Sequence, residues 1–231
     1  MNWNEKHLLL NDIYDNYDYD KYYNIRNIIK SLSKDRSPLI RGSVAKVASV
    51  YTDEFMHDIL MNLSNDKNNI VRLEVADSLR FYLDDDSYKT ICNLCNDPYY
   101  MVRGYAEYGI GFTGNSEVRK ECSLDIVREK LINERRNFNK INCLIALYYL
   151  GNKSQLDNIF DMYRKVNYSD KCLILNFVME IVTEDNQEQL HFFAEKYKSE
   201  NDLPVVCLIK QLLEKTEVDN TGDGSVLTKR H

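Results

Sequence analysis

Three segments of the chain repeat one pattern, and this pattern decides the fold: DRSPLIRGSVAKVA at residues 35–48, DKNNIVRLEVADSL at 66–79 and DPYYMVRGYAEYGI at 97–110. Each segment opens with Asp and carries Arg six positions later, and each starts 31 residues after the one before. Small or aliphatic residues follow the Arg at three and seven positions, a spacing that places them on one face of an α-helix. A constant period of this length is typical of proteins built from stacked structural repeats.

The acid and the base of each segment are candidate structural residues. They are Asp35 with Arg41, Asp66 with Arg72, and Asp97 with Arg103. Their regular recurrence favours a ladder of charge-assisted hydrogen bonds over an anion-binding stripe of arginines. We expect each Arg to bond the Asp that precedes it by six residues. A weaker fourth copy keeps the same charge spacing at Glu134 and Lys140.

Further stretches with helical apolar spacing lie between the three segments and continue to about residue 213. No stretch alternates apolar and polar residues over several positions, as a half-buried strand does. The sequence therefore predicts an all-α protein of about six antiparallel helix pairs.

The pattern of Asp, five residues, Arg and then small residues resembles the HEAT repeat, most closely its short bacterial form. The resemblance is good over residues 35–111 and fair to about residue 182. It implies a right-handed α-solenoid whose second helices line the concave face, with Asp and Arg forming a ladder between neighbouring repeats. It implies an architecture alone, because one fold serves many functions.

We predict three regions along the chain. Residues 1–23 form a capping helix or an ordered acidic, tyrosine-rich segment, residues 24–215 form the helical repeat array, and residues 216–231 form a disordered tail. A repeat array needs polar ends, and the first region mixes Asp and Tyr with few aliphatic residues. The last region is polar and contains glycine.

Composition restricts the cellular setting. The 231 residues include 36 acidic and 30 basic side chains, and the formal net charge of −6 disfavours binding to nucleic acid or to an anionic membrane. The N-terminus lacks a secretory signal pattern, and no apolar run approaches the length of a membrane span. The sequence therefore predicts a cytoplasmic protein with reduced cysteines. Frequent Asn, Lys, Ile and Tyr hint at a bacterial source.

Motifs for catalysis or cofactor binding are weak. Gly109, Gly111 and Gly114 spell GxGxxG, but a dinucleotide site needs this motif between a strand and a helix, and here it ends a helix. Cys92 and Cys95 form CxxC without a second pair of zinc ligands. We predict no metal, no cofactor and no catalytic residue. Enzymatic activity stays open, because the members of a catalytic triad need only meet in space.

The second helix of each repeat carries an unusual exposed stripe, at the positions two, five and nine residues beyond the ladder Arg. The candidate partner-binding residues on it are Lys46, Glu74, Asp77, Phe81, Tyr105, Tyr108, Asn142, Tyr149, Asn176 and Glu180. Aromatic side chains beside charges are typical of recognition surfaces, since they bury much area at little entropic cost. The alternative is that several of these aromatics pack between helices.

The leading hypothesis for function is a non-enzymatic module that holds a basic protein or peptide on an acidic, tyrosine-rich concave face. An immunity or antitoxin-like protein that masks a cationic toxin is one concrete version. The alternative is a HEAT-like DNA-repair glycosylase or another solenoid enzyme acting on nucleic acid, which requires a basic groove. A lyase-type solenoid that serves tetrapyrroles is a weaker option. The sequence leaves the partner's identity and the oligomeric state open.

Overall fold

A computed structural model describes residues 1–217, which form α-helices and, within this range, no β-strand. In chain order the helices are α1 (Trp3–Asn16), α2 (Tyr19–Asn24), α3 (Arg26–Leu32), α4 (Pro38–Val47), α5 (Glu54–Leu63), α6 (Asn69–Leu79), α7 (Asp85–Leu94), α8 (Tyr100–Thr113), α9 (Lys120–Asn133), α10 (Asn137–Tyr149), α11 (Gln155–Tyr163), α12 (Tyr168–Glu180), α13 (Gln187–Lys196) and α14 (Leu203–Thr216). The predicted all-α class is confirmed.

The chain divides into two compact units, residues 1–159 and the residues from 160 onward, and the boundary falls within α11. The predicted array of residues 24–215 spans both units. In the first unit, α1 packs on α4, α4 on α6, α6 on α8, and α8 on α10. We call these five helices the row. In the second unit, α14 packs on both α12 and α13.

The repeated segments supply the middle of the row because their apolar stripes are buried. The aliphatic residue before each ladder Arg, which is Ile40, Val71 or Val102, is fully buried. Residues three and seven positions beyond each Arg are also fully buried in all three segments. Burial of such side chains on successive helices gives the row a continuous apolar core.

Neighbouring helices of the row run in the same direction. A Cβ atom added at Gly104, near the start of α8, would meet Phe138 near the start of α10. A Cβ atom added at Gly111, near the end of α8, would lie 2.9 Å from the Cα atom of Ala146, near the end of α10. Gly104 and Gly111 therefore allow a close helix–helix approach, and this is the role of Gly111, the middle glycine of the GxGxxG motif.

The N-terminal segment joins the core. Helix α1 ends before Tyr17, which has a positive φ of 53°, and α2 follows. The Tyr51 hydroxyl donates a hydrogen bond of 3.0 Å to the backbone carbonyl of Ile13, and the Tyr51 ring stacks on that of Tyr22 at 4.1 Å. All three side chains are buried, so α1 and α2 are packed parts of the first unit.

The predicted tail begins at a residue that belongs to the last described helix. Thr216 is the last residue of α14, is buried, and its hydroxyl oxygen lies 3.1 Å from Nδ1 of His191. The predicted boundary at 216 is therefore wrong by at least this residue. The part of the predicted tail from residue 218 onward lies outside the described residues.

Candidate functional site

The ladder residues form ion pairs between neighbouring repeats. The Arg41 guanidinium donates to both carboxylate oxygens of Asp66, at 2.6 and 2.8 Å, and to the backbone carbonyl of Asp35 at 2.7 Å. Arg72 donates in the same way to Asp97, at 2.6 and 2.9 Å, and to the backbone carbonyl of Asp66 at 2.7 Å. The expected pairing of each Arg with the carboxylate of its own segment is therefore wrong. The Asp of the same segment supplies its backbone carbonyl, and the carboxylate comes from the Asp of the next segment.

The reason lies in the turn before each helix of the row. The Asp66 carboxylate accepts the backbone N–H of Asn68 at 2.8 Å, and Asp97 accepts the N–H two residues later in the same way. This turn holds each carboxylate at the start of its helix, where the Arg of the preceding repeat reaches it. Arg103 continues the series and donates to both carboxylate oxygens of Glu134, at 2.5 and 3.0 Å.

Two equivalent pairs were missed from the sequence. Lys6 of α1 lies 2.5 Å from the Asp35 carboxylate in the first unit, and Lys171 of α12 lies 2.6 Å from Glu200 in the second. Each cation is the fourth residue of its helix, as the three ladder arginines are. The fourth position of a helix was therefore the signal for these two cations. A search for Arg six residues after Asp could not find them, because both are Lys.

The electrostatics of the ladder match a structural role. Hydrogen bonds from Arg41 lower the pKa of the Asp66 carboxyl, and the hydrogen bond to Asp66 raises the pKa of Arg41. The pKa of Arg72 is raised by its bond to Asp97 for the same reason. Both partners of each pair are therefore stabilised in their charged forms, and the bidentate geometry fixes how the repeats dock.

Most candidate partner-binding residues of the first unit lie together on one surface. We call the surface at two, five and nine positions beyond the fourth residue of α4, α6, α8 and α10 the row face. Its accessible or half-buried candidates are Lys46, Glu74, Asp77, Phe81, Tyr105, Tyr108 and Tyr149. They come from adjacent helices of the row, as the 31-residue register predicts.

Asn142 is an exception. Its side chain is only 3% exposed, and its Nδ2 donates a hydrogen bond of 3.0 Å to the backbone carbonyl of Phe138. Gly104 lies against it, since a Cβ atom built there would be 3.2 Å from Asn142 Nδ2. The close approach of α8 and α10 thus buries this position, and the prediction that Asn142 lies on the exposed stripe is wrong.

The last two candidates, Asn176 and Glu180, lie on α12 in the second unit, where both residues are exposed. Their exposure fits a surface role. Their part in partner binding stays a prediction.

The two carboxylates of the row face lie close to a phenol. Burial, and then the charge of Asp77, raise the pKa of the Glu74 carboxyl. Burial raises the pKa of Asp77 despite the opposing attraction of Arg80 and Lys46. Burial first, and then the charges of Asp77 and Glu74, raise the pKa of Tyr105 on the next helix. The shifts show carboxylates that are partly withdrawn from water and only partly neutralised by the chain's own cations.

Cations also belong to this surface, and the sequence register found only one of them. The Lys46 ammonium lies 4.1 Å from the centre of the Tyr14 ring. Arg80, one residue beyond the end of α6, has its Nε atom 3.4 Å from the Asp77 carboxylate. The centre of the row face is therefore not purely acidic, because Glu74 and Asp77 face two basic groups.

An aromatic cluster surrounds the Arg80 guanidinium. Its central carbon lies 4.6 Å from the ring centre of Phe81, 5.1 Å from that of Tyr108 and 5.8 Å from that of Phe112. The Tyr149 ring completes the cluster, at 4.5 Å from Phe112 and 6.2 Å from Tyr108. These rings come from α8, α10 and the residue that follows the C-cap of α6. We call the four rings the aromatic cluster.

One trio resembles a catalytic triad in composition but not in geometry. His57 Nε2 lies 3.1 Å from the Ser87 hydroxyl and 3.3 Å from the Asp84 carboxylate. A triad needs the Ser and the Asp on different ring nitrogens. Here the Ser87 hydroxyl itself donates to Asp84 at 2.7 Å and is fully buried, and Asp84 caps α7. The trio therefore fixes a helix start and exposes no nucleophile.

Other chemical groups of the described chain lie in the core. Glu107 is fully buried, accepts a hydrogen bond of 3.0 Å from Asn139 Nδ2, and burial raises its pKa to about 8. Cys95 is buried and Cys92 half-buried. Within residues 1–217, no group of three or more His, Cys, Asp or Glu side chains is arranged to hold a metal ion. Over the same range, no helix is both long and apolar enough for a membrane span.

Comparison with known proteins gives no family assignment: no protein-family model matches this chain, and no curated protein is significantly similar to it.

Proposed function

We propose that the chain is a HEAT-like helical repeat protein that binds a basic segment of another protein on its row face. The observation that carries this proposal is the grouping of Glu74 and Asp77 on α6 with Tyr105 and Tyr108 on the adjacent helix α8. Masking of a cationic toxin is one role that such a surface would serve.

The chemistry of these residues suits a basic side chain. The pKa values of Glu74 and Asp77 are raised mainly because both carboxylates are partly buried. An added cation stabilises such a carboxylate in its ionised form. The aliphatic stem of a Lys or Arg can lie on the neighbouring phenol rings while its head group meets the carboxylates. The row face therefore offers a basic partner both charge and apolar contact.

The alternative, an enzyme that acts on nucleic acid, requires a continuous track of Lys and Arg to neutralise phosphates. On the row face of the described chain, the positions two, five and nine residues beyond the ladder arginines of α4, α6 and α8 carry one basic residue, Lys46. Arg80 lies against aromatic rings and Asp77. This arrangement favours the protein-binding proposal.

The test is a binding titration with labelled twelve-residue peptides of equal length that are basic, neutral or acidic. We expect binding of the basic peptide only, with an affinity that weakens as salt screens the charges. Replacement of Asp77 by Asn together with Tyr108 by Ala should weaken binding by at least ~2 kcal/mol, the scale of hot-spot residues. A fluorescence anisotropy titration measures both effects.

A matched control removes the same two residue types elsewhere. Asp125 and Tyr168 are exposed, and the variant Asp125→Asn with Tyr168→Ala should bind the basic peptide as the unchanged chain does. Equal affinities of both double variants, or preferential binding of the acidic peptide, would contradict the proposal.

A further inference from the structure

The aromatic cluster has the composition of a cation site. Phe81, Tyr108, Phe112 and Tyr149 present rings whose faces are electron-rich, and such faces attract guanidinium and ammonium groups within about 6 Å. The cluster also lies where α6, α8 and α10 end. Carbonyl groups at helix C-termini carry partial negative charge, which adds to the attraction for a cation.

The cluster already holds a guanidinium, that of Arg80. Three ring centres lie within 5.8 Å of its central carbon. The Arg80 side chain is 24% exposed, and its Nε is buried without a hydrogen-bond acceptor. Its one close carboxylate, that of Asp77, is 3.4 Å away, whereas the ladder arginines make bidentate bonds of 2.5 to 3.0 Å. Arg80 is thus held mainly by the rings and weakly by hydrogen bonds.

We propose that the aromatic cluster is an arginine-binding site in which Arg80 is a resident competitor, displaced when an arginine side chain of a basic partner enters. This inference rests on the proposed function, because it names the side chain that the row face recognises. The exchange replaces one guanidinium by another, so the rings and Asp77 keep their contacts. Arg80 follows the last residue of α6 and can swing outward without disturbing a helix interior.

Access to the site and its selectivity follow from the same geometry. Phe81 is 46% exposed and forms the open side of the cluster. A planar guanidinium stacks on rings, whereas an ammonium is a compact and strongly hydrated charge. We therefore expect arginine to be preferred over lysine.

The test uses a labelled, capped peptide of alternating Gly and Arg, a second peptide with Lys in place of Arg, and a third with citrulline, which keeps the shape of arginine without its charge. Replacement of Arg80 by Gln removes the resident cation. If Arg80 occupies the site about 90% of the time, its removal should tighten binding of the arginine peptide about tenfold. Arg80→Lys keeps a resident cation, so its affinity for the arginine peptide should be closer to that of the unchanged chain. The citrulline peptide should bind neither variant.

A second variant tests the rings themselves. Phe112→Leu keeps an apolar side chain but removes one ring face, and it should weaken binding of the arginine peptide whether it is made alone or together with Arg80→Gln. The resident-competitor inference would be overturned if Arg80→Gln bound the arginine peptide no more tightly than the unchanged chain does. The proposed function would stay intact in that case, provided that the double replacement of Asp77 and Tyr108 still weakened binding. Failure of every basic peptide to bind any variant would overturn both.

A measurement on the unchanged chain covers the case in which Arg80→Gln folds poorly. The Nε–H proton of Arg80 lies among aromatic rings, so its nuclear magnetic resonance signal should be shifted from that of a solvated arginine. We expect this signal to move toward the solvated position as the arginine peptide saturates the protein. A signal that stays in place at saturation would refute displacement.

Discussion

Removal of one ladder arginine should destabilise the first unit strongly, and Arg72→Ala is the most informative case. The replacement leaves Asp97 without its bidentate partner, while the carboxylate of Asp66 keeps its bonds from Arg41. The side chains of Arg72 and Asp97 are only 14% and 5% exposed. Breaking a pair buried to this degree leaves an uncompensated charge and should cost about 2–4 kcal/mol of unfolding free energy.

This cost corresponds to a fall in melting temperature of roughly 4 to 16 °C for a chain of this length. Thermal unfolding followed by circular dichroism measures it. The exposed pair of Lys89 and Asp86, 3.6 Å apart, is the matched control, and Lys89→Ala should melt as the unchanged chain does. The double replacement of Arg72 by Met and Asp97 by Asn should recover most of the loss, because no unpaired charge remains and Asn can still accept the N–H of Tyr99.

The pH dependence supplies an independent check with a definite sign. Burial opposes ionisation of Asp97, but the hydrogen bonds from Arg72 and from the Tyr99 backbone outweigh it and lower its pKa. The unchanged pair therefore contributes stability at neutral pH that is lost as pH falls through this lowered pKa. Without Arg72, burial is opposed only by the backbone bond and the charge of Arg103, so the pKa rises and Asp97 protonates at a higher pH. The stability difference between the two chains should shrink from pH 7 to pH 4. A melting temperature within one degree of the unchanged chain, or a difference that grows in acid, would refute the structural role of the ladder.

Two further predictions concern the packing of α8. Gly111→Ala should destabilise the first unit by about 1–2 kcal/mol in a denaturant titration. The new Cβ atom would lie 2.9 Å from the Cα atom of Ala146, and the cost of this overpacking exceeds the gain in helix propensity. Gly42→Ala is the control: the nearest atom to its new Cβ would be 3.5 Å away, so this variant should be as stable as the unchanged chain or more stable. Glu107→Gln should flatten the fall in stability above pH 5. Burial raises the pKa of Glu107 to about 8, so the acid stays protonated in the folded state while the unfolded chain ionises, and this costs up to about 1.4 kcal/mol of unfolding free energy per pH unit. Equal slopes of stability against pH between pH 5 and pH 8 in both chains would contradict this.

The period of 31 residues was enough to predict helices α4, α6 and α8 of the row and their buried stripes. Such positions are decided by local helical spacing and by apolar burial, both of which are visible in a single chain. The same period predicted that Glu74, Asp77, Tyr105 and Tyr108 share a surface, because equivalent positions of stacked repeats are neighbours.

Contacts between repeats were less predictable. An Arg lies six residues from the Asp of its own segment and 25 from the Asp of the next, and the charge pattern does not distinguish these partners. For Asp66 the partner is decided by the hydrogen bond that its carboxylate accepts from the Asn68 backbone N–H, since this bond aims the carboxylate at the preceding repeat. Asn142 is buried for a similar reason, because Gly104 lets α10 approach α8 closely. Both outcomes depend on the partner helix rather than on the residue's own helix.

The position of the aromatic cluster follows from unequal helix lengths within a regular array. The ladder aligns the helices of the row near their N-termini, at the fourth residue of each helix. Helix α6 ends at Leu79, seven residues beyond Arg72, whereas α8 ends at Thr113, ten residues beyond Arg103. At 1.5 Å per residue, α8 therefore extends about 4.5 Å further than α6. Phe112 and Tyr149 lie beyond the end of the shorter helix, and Arg80 occupies the space that α6 leaves. The early end of α6 relative to α8 thus converts a repeated packing surface into one distinctive site. The repeat register named Phe81, Tyr108 and Tyr149 of this site but not Arg80, which lies outside the register.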